Sequence, residues 1–95
     1  MRIRWLNEAI LDLIEIRTYI ASDNPQTANK VADLIRKSIG PLAKHPDIGW
    51  PGRFKGTREL LLTDLPYIIP YRVKNDKIEI LRVLHAARKW PRELE

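Results

Sequence analysis

The apolar residues of this chain change spacing part-way along, from every third or fourth residue to every second, and few folds hold both patterns in 95 residues. The wider spacing opens with Leu6, Ala9, Ile10, Leu13, Ile14, Ile16 and Ile20, which describes an amphipathic helix. Asn7 is its expected N-cap, with Glu8 in the first turn, where a carboxylate meets the positive end of the helix dipole. Ser22-Asp23-Asn24-Pro25 ends that helix and begins another. Asn24 can cap, and Pro25 then takes the first helical position, where no N–H is needed. The second helix carries Ala28, Val31, Ala32, Ile35 and Ile39 on one face. Gly40-Pro41 either stops it near Ser38 or kinks it onward through Leu42 and Ala43, because proline lacks the helical donor.

The alternating pattern appears first at Arg2 to Leu6, with Ile3 and Trp5 opposed to Arg2 and Arg4. His45 to Gly56, broken by Pro46, Gly49, Pro51 and Gly52, reads as loop. Thr57 to Leu62, Tyr67 to Val73 and Lys77 to His85 read as strands, the last two joined by a turn at Asn75-Asp76. Setting Lys74 opposite Lys77 pairs Val73 with Ile78, Arg72 with Glu79, Tyr71 with Ile80 and Tyr67 with Leu84. One face then gathers Tyr67, Ile69, Tyr71, Val73, Ile78, Ile80 and Leu84 as a core. The other holds Ile68, Arg72, Glu79, Leu81, Val83 and His85, with Arg72 and Glu79 as an ion pair. Pro70 removes a ladder hydrogen bond and so predicts a bulge or an unpaired edge position. Arg82 falls on the mostly apolar side and needs a rim or a partner. The order β-α-α-β-β-β describes an α+β fold of two layers, a helical hairpin packed on a mainly antiparallel sheet, with residues 1–95 as a single domain.

Composition narrows the function. There is no cysteine, which excludes disulfides, thiolate metal ligands and a cysteine nucleophile. The N-terminus lacks the apolar stretch and cleavage site of a signal peptide, and no run approaches the roughly 20 residues of a membrane span. Cytoplasmic residence is expected, with neither metal nor cofactor. The net charge of +5 is concentrated from Lys44 onward, where basic residues outnumber acids. That asymmetry points to an anionic partner, either nucleic acid or an acidic protein segment.

Several short motifs follow one another along nearly the whole chain: Trp5…Ala9…Asp12-Leu13…Ile16…Tyr19-Ile20, Asn24-Pro25…Ala28, and Leu42…His45-Pro46…Gly49…Pro51-Gly52. They continue as Gly56-Thr57-Arg58-Glu59-Leu60, Pro66-Tyr67-Ile68-Ile69…Tyr71-Arg72-Val73 and Ile80…Val83-Leu84-His85…Arg88-Lys89-Trp90-Pro91. The series resembles the RelE/ParE superfamily of type II toxin–antitoxin toxins, and its ParE-like branch more than its RelE-like branch. The resemblance implies a toxin neutralised by a cognate antitoxin, with contact to DNA only through that antitoxin. A ParE-like member is expected to inhibit DNA gyrase. The alternatives are a ribosome-dependent endoribonuclease acting on messenger RNA, as RelE-like members are, or a degenerate member that only binds its antitoxin.

Metal-free RNA cleavage needs a base, a proton donor and cations for the developing charge on phosphorus. The candidates are Glu59 and His85, with Arg58 and further cations to hold phosphate. Each has a structural reading too. Glu59 beside Arg58 can be merely solvated, Arg72 can serve Glu79, and His85 can pack on the open face of the sheet. Aromatic and aliphatic residues fill Tyr67 to Tyr71, where the RelE-like branch would place a phosphate-facing arginine, and Ala86 rather than tyrosine follows His85. The nuclease set is incomplete. Residues suited to gripping a target or antitoxin are Arg58, Arg72, His85, Arg88, Lys89 and Trp90, the last also able to fold back as a hydrophobic clasp. Trp50 is likewise an anchor or a loop plug.

Overall fold

The computed structural model describes residues 1–94. Strand β1 (Arg2–Trp5) leads into helix α1 (Asn7–Ala21), which turns back through helix α2 (Pro25–Ile39). Four strands follow the loop that begins at Lys44 and are completed by a short fifth: β2 (Trp50–Pro51), β3 (Arg58–Leu61), β4 (Tyr67–Lys74), β5 (Lys77–Ile80) and β6 (Leu84–His85). The sheet runs β1-β5-β4-β3-β2, and β6 continues beside β4 where β5 leaves off. Among the described residues only the β1–β5 pair is parallel. Both helices pack on one side of this sheet, as the alternating and three-and-four patterns together require. Ala9 and Leu13 of α1 and Ala32, Ile35 and Ile39 of α2 meet Ile69, Tyr71, Ile78 and Ile80 in one core.

Local chemistry explains most boundaries. Asn24 caps α2 by accepting from the Thr27 N–H at 3.1 Å, and Pro25 occupies the first turn, as expected. Asn7 does not cap α1. Leu6 does, because its N–H is still bound to the Ile80 carbonyl at 3.0 Å and the chain leaves the sheet there, making Asn7 the first helical residue. At Gly40-Pro41 the α-helix stops, at Ile39 and so near Ser38 as expected, and the chain does not run on as a kinked α-helix. It tightens into a 3-10 turn over Gly40–Ala43 that drives Leu42 into the core. Asn75 and Asp76 both take positive φ, 53° and 59°, the conformation that a two-residue hairpin turn demands.

The loop from His45 to Gly56 is held more tightly than its composition suggests, since β2 pairs within it with β3. Tyr71, fully buried, accepts from the Gly49 N–H at 2.9 Å and donates to the Pro46 carbonyl at 2.7 Å. A Cβ on Gly49 would lie 2.6 Å from that hydroxyl, so only glycine lets the loop approach.

The hairpin register holds from Lys74↔Lys77 to Tyr71↔Ile80, with Arg72 opposite Glu79. Beyond it the last strand departs from the expected single run. Leu81 to Val83 leave the ladder, and pairing resumes with Ile68↔Leu84 and Tyr67↔His85, one residue out of the expected register. Pro70 is the reason. Its carbonyl accepts the Leu81 N–H at 2.9 Å, so its absent donor would face the same partner, which bulges away. The slip reverses the faces beyond the bulge. Val83 enters the core, Leu84 becomes half-buried, and His85 turns to the Tyr67 side. Val73, expected inside, is 47% exposed at the hairpin tip.

Asp12 of α1 closes the bulge. Its carboxylate accepts from Arg82 Nε at 2.7 Å, from Arg82 Nη2 at 2.9 Å and from the Val83 backbone N–H at 2.9 Å. Arg82 thereby gains the partner its position demands, and its pKa is raised by that hydrogen bond against the opposing effect of burial. Asp12→Ala is expected to cost about 3 kcal/mol, because it strands a half-buried guanidinium and an N–H together. Urea unfolding followed by circular dichroism measures this. Tyr71→Phe, which unpairs two buried loop groups, is expected to cost about 2 kcal/mol in the same assay.

Candidate functional site

The bulge opens a groove of about 510 Å³ between α1, β6 and the turn after His85. Its apolar lining comes from Ile16, Ile20 and Val83, with Leu84 also bordering it. Tyr19 and Tyr67 supply aromatic walls, Arg88 and Lys89 a cationic rim, and Glu15 a single acid across from them. Asp12 and Arg82 also line it but neutralise each other. Burial raises the Tyr67 pKa, while the nearby Arg88 cation pulls the other way. His85 meets Tyr67 edge-on at 5.6 Å between ring centres, and its Nδ1 accepts the Ala87 N–H at 3.1 Å. That bond uses Nδ1 as an acceptor and leaves Nε2 as the ring's donor.

The remaining sequence candidates are not brought here. Glu59 is not a solvated neighbour of Arg58. It is 8% exposed and accepts from the Arg53 N–H at 2.9 Å and Arg53 Nε at 3.2 Å. It stands opposite Pro70, whereas His85 stands opposite Tyr67, so the two project from opposite faces of the sheet. His85 was expected on the open face; the one-residue slip puts it on the helical side. Arg58, opposite Tyr71, donates to the Gly49 carbonyl at 2.8 Å and braces the loop. Arg72 bonds Glu79 at 2.7 Å, with Arg4 at 3.6 Å on the other carboxylate oxygen. Trp90 lies against the loop before β3 rather than over the sheet: the Arg53 guanidinium is 3.4 Å from its ring centre and Phe54 stacks beside it. Trp50 is 68% exposed and plugs nothing. Of the expected set, His85, Arg88 and Lys89 alone converge on one cavity. Asp12, Glu15 and Tyr19 were not among the expected site residues, although Asp12 and Tyr19 stand in the motif series and Arg82 was expected to need a rim or a partner. Among the described residues no group of three acids or histidines could hold a metal ion.

A second feature lies on the outside of the helices. Ile10, Leu11 and Ile14 are 42%, 58% and 55% exposed, so the apolar set of α1 is wider than the face it buries. Trp5, Ile10, Leu13 and Ile14 line a shallow apolar groove of about 380 Å³, flanked by Arg17 and Arg36.

Comparison with known proteins gives a consistent answer. Residues 3–90 match the family model of the ParE toxin of the type II toxin–antitoxin system parDE. The protein Y4kP of Sinorhizobium fredii is 50% identical over 93 residues, 98% of this chain and 96% of that one. Toxin RelE2 of Caulobacter vibrioides is 34% identical over 84 residues, 88% and 93% of the two chains. Among solved structures, a chain of the chromosomal ParDE system from P. aeruginosa superposes with a TM-score of 0.81 at 32% identity, covering 90% of this chain and 95% of that one.

The ion pairs on the far face give a test of their structural role. Hydrogen bonding from Arg72 holds the Glu79 carboxyl below its ordinary pKa, more than offsetting burial, with Lys74 and Arg4 adding to it. A depressed folded pKa contributes stability that is present above the ordinary carboxylate range and is lost as pH falls through the folded value. The urea midpoint is therefore expected to fall between pH 5 and pH 3, roughly the range in which carboxylates titrate. Glu79→Gln should lower the midpoint at pH 7 and flatten that fall.

Proposed function

The chain belongs to the ParE toxin family of type II toxin–antitoxin systems, and from that premise we propose that it inhibits DNA gyrase without catalysis of its own. The observation that carries the noncatalytic reading is the placement of the two acid–base candidates. Glu59 and His85 leave opposite faces of the sheet, and Glu59 is occupied by Arg53. A general base and acid must both reach one scissile phosphate, and this pair cannot. The candidate arginines Arg58 and Arg72 are likewise engaged by the loop and by Glu79. Inhibition through binding remains chemically available, since it needs only a fitted surface.

Membership of the family implies a cognate antitoxin, and the surface supports one. A helix face carrying exposed Ile10, Leu11 and Ile14 between Arg17 and Arg36 suits the apolar side of a partner segment with acidic flanks. Contact with DNA would then come through the antitoxin. No helix among the described residues is long and apolar enough to cross a membrane, and a gyrase target places the protein in the cytoplasm.

Expression without antitoxin is expected to arrest growth and induce the DNA-damage response, and purified protein to block supercoiling by gyrase or trap cleaved DNA. Cleaved transcripts in a translating extract, with gyrase unaffected, would reverse the reading in favour of the RelE-like nuclease. Absence of any arrest would leave a member that only binds its antitoxin.

A further inference from the structure

We propose that the face of the sheet away from the helices, at its hairpin end, binds duplex DNA directly through the phosphate backbone and without reading sequence. This contact goes beyond the gyrase reading and is separate from any contact made through an antitoxin. The register brings the charges together. Arg2 stands opposite Lys77 in the β1–β5 pair, and Lys77 stands opposite Lys74 in the β5–β4 pair, so these cations form one row across neighbouring strands. Two residues along each strand lies a second row, Arg4, Glu79 and Arg72. Ile3 packs against the core and Ile78 lies within it, which puts both rows on the opposite face.

The rows differ in chemistry. In the second, Glu79 accepts from Arg72 at 2.7 Å and has Arg4 at 3.6 Å, so an acid stands between its cations. The first row has no acid. Arg2, Lys74 and Lys77 are all exposed, and among the described residues none of them has an ion-pair partner. Asp76, in the turn between the two lysines, is paired with neither. Neighbouring strands lie about 4.8 Å apart, and like charges set directly opposite each other destabilise a sheet. An anion laid across the row relieves that repulsion. Charges on the edge strand β1 also deter pairing with another sheet, which accounts for Arg2 and Arg4. It does not account for Lys77, which has β1 on one side and β4 on the other.

Charge complementarity selects the partner. An acidic protein segment gains most of its affinity by burying apolar side chains, and neither row contains an apolar residue. Neither contains an aromatic ring, so a single strand would find nothing there on which to stack its bases. A duplex needs only cations, since its backbone carries one negative charge per about 1.7 Å of helix axis.

The test uses the full chain, without antitoxin or gyrase, and two short labelled duplexes of unrelated sequence, with binding read by fluorescence anisotropy. Both should bind alike, and the logarithm of the affinity should fall with that of salt concentration with a slope of roughly −3, about −0.9 for each of three phosphates met. The R2Q/K74Q/K77Q variant should bind roughly tenfold or more weakly at low salt and lose most of that slope. Its urea midpoint should not fall, because only repulsion has been removed. K74R/K77R keeps the charge and should keep the binding. A wild-type chain that leaves both duplexes unbound at low salt overturns the DNA contact, as does a glutamine variant that binds like the wild type or a K74R/K77R variant that does not bind. Poly-glutamate competing as well as duplex at equal charge would make the row a protein contact instead. Because no gyrase is present, failure here leaves the inhibitor reading intact, whereas a chain that binds duplex yet spares gyrase removes that reading alone.

Discussion

Asp12 is the residue on which the layout of this molecule turns. Pro70 forces the last strand out of the ladder, and an unpaired backbone so close to the core would be costly by itself. Asp12 supplies acceptors for both Arg82 and the Val83 N–H from a helix in the facing layer, 70 residues before Arg82 in the chain. With that support the strand can break, slip by one residue and resume. The slip sends Val83 inward and His85 to the helical side, and the groove exists because of it. A helix-borne carboxylate thus determines which side of the sheet carries the recognisable surface.

The charged residues divide into two groups by what they touch. Glu59, Arg53, Arg58, Arg72 and Glu79 are consumed by the scaffold, fixing the loop before β3, the C-terminal tryptophan and the far face of the sheet. Arg88 and Lys89 stand exposed beside the groove. A basic composition alone does not separate these roles, because a guanidinium on a buried carboxylate and one facing water count equally towards net charge. Arg53, Arg58, Arg72 and Arg82 are therefore part of the scaffold, and the positive charge open to a partner is smaller than the net charge suggests.

The layer architecture, the order of elements, the Asn24-Pro25 helix start and the hairpin register next to Asn75-Asp76 were all legible in the sequence, since each follows from local propensity or a two-residue period. The RelE/ParE resemblance was legible too, in motifs spread over the chain. The site was legible only in part. His85, Arg88 and Lys89 were named, but the face of His85 was reversed, because one extra residue after Pro70 inverts everything downstream. Pro70 announced a disturbance without saying which strand would yield. The partner of Arg82 lies 70 residues away, and the tie between Glu59 and Arg53 depends on how a loop folds back, neither of which a periodic pattern records. Likewise Ile10 and Ile14 share the spacing of the core residues of α1, and only the packing of the helix shows that they face outward.

The parallel pairing of β1 with β5 has a consequence for how the protein comes into being. Arg2 waits for Lys77, so the first strand has no neighbour until most of the chain has been made. At about 5–20 residues per second, translation leaves the helical hairpin without its sheet for several seconds. Such a long-range closure is slow by its topology as well. The surface formed by β6 and the turn beyond it follows β5 in the chain, so it too is made only after the helices that it faces.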